Sequence, residues 1–365
     1  MKKLLLLLLC LPMIGFGQQT FNFMHNGLNR EYIYYAPANL PVDAPLVFVA
    51  HGFTGSAQGI MSYCGMNTIA DQNSFAVCYP QGTTDSWGDN FWNVGYNFHA
   101  GVTIDDVDFI VSLASYLQST YQLNAINTFF TGMSNGGELS YLLACEGPNV
   151  FRAFAPVAGT IFPNGLTNNI CSPIVPVSIF ETHGRNDNVT LIEGDLFDQY
   201  WGPYLSTDTI INFWVAQNSL TNLVVDTFPN LNNNNKITIS YKYSDPSTNN
   251  EVWLYTHKSG HNWGDDGDMV IEQEIWNFFS QMSFTAPSWD CVNNACIDPG
   301  TGTGMYLNLA ACTSVCVVSA IKEYATNKEL LKVTDLLGRE AKEIKNTLLF
   351  YIYNDGTVEK KIILE

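Results

Sequence analysis

Residues 128–137, with the sequence TFFTGMSNGG, decide the fold. Residues 128–131 are apolar or β-branched and predict a buried strand, and residues 135–145 predict a helix. The intervening G-x-S-x-G pattern is typical of a strained strand-to-helix turn that carries a nucleophilic serine, with glycines where a side chain would clash. The pattern and its context together predict Ser134 as a nucleophile.

A serine of this kind needs a histidine base, which in this chain order comes last. His261 lies in residues 259–264, SGHNWG, a Gly-flanked loop between the last strand and the last helix of the main body. His257 belongs to the preceding strand, and His183 comes too early in the chain. His261 is therefore the predicted base.

The base needs an orienting carboxylate between the serine and the histidine. Asp187, in residues 183–189 (HGRNDNV), directly follows the apolar residues 175–180. Catalytic groups gather in loops at the carboxyl ends of parallel strands. Asp187 is the predicted acid, and Glu193 and Asp195 are the weaker alternatives.

Two backbone amides are predicted to hold the developing oxyanion. One is that of Asn135, directly after the nucleophile at a helix N-terminus. The other comes from residues 51–56, HGFTGS, after the buried strand at residues 46–50. Phe53 is the assigned donor and Thr54 the alternative.

Aromatic side chains in residues 87–99 are expected to lie over the cleft and to contact substrate, with Trp92 as the leading candidate. Met133 and Trp263, beside the predicted nucleophile and base, are also predicted to bind substrate. Residues 200–204 are a weaker candidate for the opposite wall. Asp265, Asp266 and Asp268 do not fit the spacing of an EF-hand, and no other cluster has metal-ligand spacing, so neither a metal nor a cofactor is expected.

Short apolar runs alternate with helical patterns through the main body, which predicts a mostly parallel sheet covered by helices on both faces, an α/β fold of the hydrolase type. The clearest helix covers residues 103–121, with apolar side chains at helical spacing. Other helices are predicted at 62–72, 135–145, 207–218 and 269–282, and strands at 30–36, 46–50, 75–79, 128–131, 154–158, 175–180, 237–243 and 252–255.

The 365 residues carry a net charge of −18. A surface this acidic repels nucleic acid and anionic lipid and favours neutral substrates, so nucleic acid is not an expected partner. Lys2 and Lys3 precede a leucine-rich run that is too short to span a bilayer, which predicts a signal peptide over residues 1–17 and export.

The eight cysteines that follow fit disulfide bonds in an exported protein. Cys145 with Cys171 and Cys64 with Cys78 are the favoured pairs in the main body. The remaining four could pair in three ways. They are Cys291, Cys296, Cys312 and Cys316.

Residues 21–282 resemble the secreted polyhydroxybutyrate depolymerase and feruloyl esterase-like hydrolases. The motifs that carry the resemblance are 30–37 (REYIYYAP), 46–52 (LVFVAHG), 75–80 (FAVCYP), 91–93 (FWN), 105–110 (DDVDFI), 132–137 (GMSNGG), 151–159 (FRAFAPVAG) and 259–263 (SGHNW). The resemblance implies hydrolysis of carboxylic esters through an acyl-enzyme, with Ser134, Asp187 and His261 as the catalytic residues. It implies as substrate a polyester or the feruloyl or acetyl esters of plant polysaccharide. A peptidase of the same fold and a non-catalytic glycan-binding surface protein are the alternatives.

Residues 335–340 (DLLGRE) and 350–365 resemble the sorting domain of type IX secretion. That resemblance implies contact with the secretion machinery and a place in the medium or on the cell surface. The predicted organisation is a signal peptide at 1–17, a catalytic domain at 18–284, a Cys-rich spacer at 285–318 and a sorting domain at 319–365.

Overall fold

A computed structural model of the chain describes residues 18–147, 149–163, 173, 175–231, 233, 236–264, 268–284, 288–298, 305–306, 308–316 and 328–364. The predicted signal peptide at 1–17 lies outside these residues, as does Cys171. The chain divides into two compact units, one that ends at Phe284 and one of residues 285–365. Each helix in the described ranges is too short or too polar to cross a lipid bilayer.

The first unit is built on one large sheet with helices around it. Its strands are β1 (Gln18–His25), β2 (Leu28–Tyr35), β3 (Leu46–Ala50), β4 (Ala76–Pro80), β5 (Thr83–Thr84), β6 (Asn90–Phe91), β7 (Thr128–Met133), β8 (Ala153–Val157), β9 (Ser178–Gly184), β10 (Asn222–Thr227), β11 (Ile239–Ser244) and β12 (Val252–His257). Its helices are α1 (Ala57–Tyr63), α2 (Met66–Asn73), α3 (Asp106–Tyr121), α4 (Asn135–Glu146), α5 (Thr207–Gln217) and α6 (Ile271–Met282).

Ten of these strands hydrogen-bond in the order β1-β2-β4-β3-β7-β8-β9-β12-β11-β10, among the residues that the structure describes. The six central strands, from β4 to β12, run parallel. The pairs β1–β2 and β10–β11 are antiparallel and form the two edges. The carboxyl ends of β3, β7, β9 and β12 therefore meet along one rim of the sheet, where ligands bind in folds of this kind.

Side chains that alternate along the central strands build a core on each face of the sheet. Phe48 of β3 belongs to the cluster that includes Phe109 of α3 and Trp214 of α5. Its neighbour Val49 belongs to the opposite cluster, with Ile69 of α2 and Phe279 of α6. Each large side chain buried in this way contributes about 1.5–3 kcal/mol. The predicted parallel sheet with helices on both faces is confirmed.

Two predicted helices differ from the structure at their ends. The pattern over residues 62–72 is divided between α1 and α2, because Gly65 adopts a left-handed conformation with φ 66° and interrupts the helical path. Helix α3 begins three residues later than predicted, since the Asp105 carboxylate accepts a hydrogen bond from the Asp108 amide at 2.8 Å and caps the helix.

His51, directly after β3, fixes the loop that follows. Its ring is buried; Nδ1 donates to the Gly52 carbonyl at 2.7 Å, and Nε2 accepts from the Gly82 amide at 2.9 Å. This arrangement requires the neutral ring, with one donor and one acceptor. Burial lowers the pKa of His51 from 6.5 to about 4, against the raising effect of the Gly52 hydrogen bond.

The favoured disulfide between Cys64 and Cys78 is wrong, because both thiols are free. Cys64 packs in the core on one face of the sheet, whereas Cys78 on β4 packs in the core on the other face. The two cysteines are only fourteen residues apart in the sequence, but the sheet lies between their side chains. Cys145 is disulfide-bonded, and its favoured partner Cys171 lies outside the described residues.

The second unit contains a disulfide-linked module and a small sheet. The hairpin β13 (Asp290–Val292) and β14 (Ala295–Ile297) is tied to α7 (Leu309–Cys316) by the bonds Cys291–Cys316 and Cys296–Cys312. Strands β15 (Leu330–Thr334), β16 (Leu348–Tyr353) and β17 (Val358–Ile362) form an antiparallel sheet. Disulfides stabilise so small a module where its apolar core alone would not.

The ionisation of His51 should set part of the acid sensitivity of folding. Because the pKa is depressed in the folded state, the contribution of His51 is complete above about pH 6.5 and is lost as the pH falls to about 4. Between about pH 7 and pH 4, the wild type should lose about 3 kcal/mol more than His51→Gln, since each unit of pKa difference corresponds to about 1.4 kcal/mol. Urea unfolding across this range measures the difference, and parallel pH profiles for the two proteins would contradict it.

The two free thiols give a second prediction. Alkylation of the denatured, unreduced protein should label Cys64 and Cys78, whereas the native protein should leave both unlabelled because they are buried. Peptide mass spectrometry reads the labels, and the peptides with Cys291 and Cys316 serve as the control that stays linked until reduction. A peptide that joins Cys64 to Cys78 before reduction would overturn the assignment.

Candidate active site

Ser134 occupies a single-residue turn between β7 and α4. Its backbone has φ 55° and ψ −121°, a strained conformation for a residue with a side chain. The backbone around the turn is packed so closely that both flanking positions require glycine. A Cβ at Gly132 would lie 2.5 Å from the Gly136 carbonyl oxygen, and a Cβ at Gly136 would overlap the Ala50 carbonyl oxygen. This sharp turn places Ser134 at the rim of the sheet.

Asp187 and His261 come together from the loops after β9 and β12. His261 Nδ1 donates to Asp187 Oδ2 at 2.7 Å, with the Asp187 side chain fully buried and the His261 side chain 16% exposed. The second carboxylate oxygen accepts from the Val189 and Thr190 amides at 2.8 and 2.9 Å. Burial alone would raise the pKa of Asp187, but the hydrogen bond from His261 and these amides outweigh it and lower that pKa. The ionised acid leaves His261 Nε2 as a proton acceptor.

The loop after β3 packs against the turn that carries Ser134. A Cβ at Gly52 would lie 3.4 Å from Ser134 Cβ and 3.9 Å from Oγ. The Thr54 amide already donates to the Asn90 carbonyl at 2.8 Å, which removes Thr54 from the candidate oxyanion donors. The Phe53 amide adjoins this contact, and the Asn135 amide lies in the first turn of α4, where amides have no acceptor within the helix.

A small cavity of about 10 Å³ opens beside Ser134. Val189 and Thr190, which bind the Asp187 carboxylate, line it together with Ser134, so Ser134 and the loop that contains Asp187 face the same space. The other lining residues are Tyr96, Glu138, Thr160, Phe162, Trp201 and Tyr204.

The predicted contacts of Trp92 and Trp263 with substrate are wrong, because both side chains are buried, at 0% and 4% exposure. Trp92 instead connects three parts of the site. Its Nε1 donates to the His51 carbonyl at 2.9 Å, and its backbone pairs with the side-chain amide of Asn135 at 2.7 and 3.1 Å. Met133 is partly buried against the core on the other face of the sheet.

Sequence reasoning missed Glu138, which lines the cavity one helical turn after Ser134. Its Oε2 accepts from the Tyr96 hydroxyl at 2.5 Å and from Asn135 Nδ2 at 3.5 Å. Burial raises the pKa of Glu138 from 4.5 to about 8, so the carboxyl is largely protonated at neutral pH. An acidic residue directly after the two glycines in the first turn of α4 was the available signal.

The chain is similar in sequence to several proteins that are named as esterases. The curated relatives include a bifunctional acetylxylan esterase/xylanase of Neocallimastix patriciarum, 27% identical over 267 residues, which cover 72% of this chain and 34% of the relative. They also include a probable feruloyl esterase C of Aspergillus oryzae, 24% identical over 277 residues, which cover 73% of this chain and 90% of that protein. The chain thus spans about a third of the first relative and most of the second.

Among solved structures, an acetyl xylan esterase from Aspergillus awamori superposes with a TM-score of 0.51 at 16% identity, covering 72% of this chain and 99% of that chain. This likeness shows the α/β-hydrolase fold. The family model of the esterase PHB depolymerases matches residues 30–207, which include Ser134 and Asp187. Over residues 30–207, the chain is therefore similar to the esterase PHB depolymerase family.

Proposed function

We propose that this protein hydrolyses carboxylic esters through an acyl-enzyme, with Ser134 as nucleophile, His261 as base and Asp187 as orienting acid. The hydrogen bond of 2.7 Å from His261 to the buried Asp187 is the observation that carries the proposal. His261 Nε2 takes the Ser134 proton as the hydroxyl attacks the ester carbonyl, and the Phe53 and Asn135 amides stabilise the oxyanion. His261 then protonates the leaving alcohol, and water cleaves the acyl-enzyme.

The cavity beside Ser134 supports a short acyl group. Its volume of about 10 Å³ holds about one water molecule. Tyr96, Phe162 and Trp201 contribute rings that leave no room for a feruloyl group in this arrangement. An acetyl group is therefore the favoured acyl part, over a polyester unit or a ferulate.

A larger cavity of about 350 Å³ shares Glu138, Thr160 and Phe162 with the first. The carboxyl groups of Asp105 and Glu146 also line it, and no Lys or Arg does so among the described residues. Such a lining disfavours anionic groups and accepts the hydroxyls of a neutral alcohol. An acetylated polysaccharide is the substrate class that fits both cavities, in line with the names of the acetylxylan and acetyl xylan esterases to which the chain is similar.

The proposal extends to export. Residues 1–17 serve as a signal peptide, residues 285–318 as a spacer and residues 319–365 as a sorting domain read by type IX secretion machinery. The disulfide bonds Cys291–Cys316 and Cys296–Cys312 support an oxidising compartment outside the cytoplasm.

Removal of the Ser134 hydroxyl should abolish turnover. Ser134→Ala should lower kcat for p-nitrophenyl acetate by about 10⁴-fold or more, because the covalent step is lost. A fluorophosphonate probe should label the wild type and fail to label the variant. Ser115→Ala, an exposed serine on α3, is the matched control. Labelling that persists in Ser134→Ala would assign the nucleophile elsewhere.

The small cavity should select acyl length. The wild-type kcat/KM should be at least about tenfold higher for p-nitrophenyl acetate than for the octanoate, since each misfitting methylene in a tight pocket costs about 1–3 kcal/mol. Trp201→Ala should reduce this ratio by enlarging the cavity. Trp87→Ala removes an exposed ring that does not line it and should leave the ratio unchanged. Equal wild-type turnover of acetate and octanoate would refute the assignment.

A further inference from the structure

A second polar pair lies behind Asp187, and the proposed reaction does not use it. Glu181 and His183 stand two residues apart on β9, so both side chains project from the same face of the sheet. Both are fully buried, and His183 Nδ1 lies 2.8 Å from Glu181 Oε1. A buried charged pair in a central strand is expensive unless its hydrogen bonds are complete.

The partners of His183 determine its proton count. Nδ1 faces the Glu181 carboxyl, and Nε2 lies 2.8 Å from the Thr190 carbonyl oxygen. A carbonyl only accepts, so Nε2 must carry a proton, and a neutral ring would then have no proton on Nδ1. The ring is therefore either doubly protonated beside a carboxylate, or neutral beside a protonated Glu181.

Burial raises the pKa of Glu181, but the hydrogen-bond donors around its carboxyl group oppose this effect. Oε2 accepts from the Tyr141 hydroxyl at 2.8 Å, and the Gly159 amide donates a further hydrogen bond to the carboxylate. Donors of this kind stabilise the ionised form. Burial alone would lower the pKa of His183, but the hydrogen bond and charge of Glu181 outweigh it and raise that pKa above its ordinary value.

Thr190 connects the pair to the catalytic acid. Its carbonyl accepts from His183, while its amide donates to Asp187 Oδ1 at 2.9 Å. In addition, His183 Nε2 lies 3.7 Å from Asp187 Oδ2, the same oxygen that accepts from His261. His183 therefore interacts with Asp187 in two ways, through the Thr190 backbone and by direct charge–charge interaction.

We propose that Glu181 and His183 form a buried carboxylate–imidazolium pair that positions Asp187 and places a fixed positive charge beside the acid–base pair. This inference rests on the proposed function for its kinetic consequence only. The positive charge lies beside the Asp187 oxygen that accepts the hydrogen bond from His261. The two residues contact no reacting atom and are positioning residues.

The ionisable groups around His183 come from several elements. They are Glu181 on the same strand, Asp187 and Tyr204 of the loops that follow β9, His261, and, beyond Glu181, Glu138 and Tyr141 of α4. The nearest two, Glu181 and Asp187, are carboxyls, which is the surrounding that a buried imidazolium requires.

The kinetic test uses two variants that preserve shape. His183→Gln retains a donor for the Thr190 carbonyl, and Glu181→Gln retains the outline of the carboxyl while the ring loses its charge. Both variants remove the positive charge beside Asp187, so the acid-side midpoint of the kcat/KM profile for p-nitrophenyl acetate should rise by about 0.5 pH unit. Loss of packing alone would lower kcat and leave the midpoint in place.

His257→Gln is the matched control, because it also replaces a buried histidine, on the adjacent strand β12. Its midpoint should match that of the wild type. Midpoints of His183→Gln and Glu181→Gln that also match the wild type, in folded and active proteins, would overturn the proposal.

A second measurement needs neither a variant nor activity. In ¹⁵N-labelled wild type, the His183 ring should retain both N–H protons well above pH 6.5, its ordinary midpoint. A His183 ring that is neutral at pH 7 would overturn the pair. Absence of esterase turnover with a doubly protonated His183 would instead refute the proposed function and leave the pair standing.

Discussion

Strand β7 ends and helix α4 begins with only Ser134 between them, so this residue must hold φ 55°, which most side chains avoid. Gly132 and Gly136 permit the approach of strand, helix and the Ala50 carbonyl that forces this geometry. Two backbone hydrogen bonds stabilise the strained residue. The Ser134 amide donates to the Val157 carbonyl, and the Ser134 carbonyl accepts from the Glu138 amide, each at 2.8 Å. The turn is thus held by its neighbours in the sheet and in the helix.

The same rim gathers groups from distant parts of the chain, and polar side chains tie them together. The side chain of Asn135 binds the backbone of Trp92, which in turn holds the carbonyl of His51. These bonds lie in buried surroundings, where an unsatisfied partner is costly and a satisfied one fixes geometry. The loop that contains Phe53 is therefore held in part by contacts that do not involve the Ser134 side chain.

The sequence carried enough local signal to predict the sheet, the turn at Ser134 and the proximity of Asp187 to His261. Glycines and the alternation of strand and helix mark the Ser134 turn, and chain order selects Asp187 and His261. The sequence suggested that Trp92 and Trp263 contact substrate, but both side chains are buried in the protein. Aromatic content predicts that a segment packs closely, but it does not distinguish a core side chain from one that lines a cleft. The sequence did not reveal Glu138 or the Glu181–His183 pair, because Glu138 binds Tyr96 and Glu181 binds Tyr141, 42 and 40 residues away in the chain.

Strand β9 has a neighbour on both sides, β8 and β12, and its seven residues are all buried. Segments with such protection open only when the whole domain opens, whereas the exposed edge strand β10 can fray separately. The turn that holds Asp187 is bonded to this strand through His183. Local unfolding of β10 would leave Asp187 in place. The Asp187–His261 hydrogen bond should therefore be lost only when the whole domain unfolds.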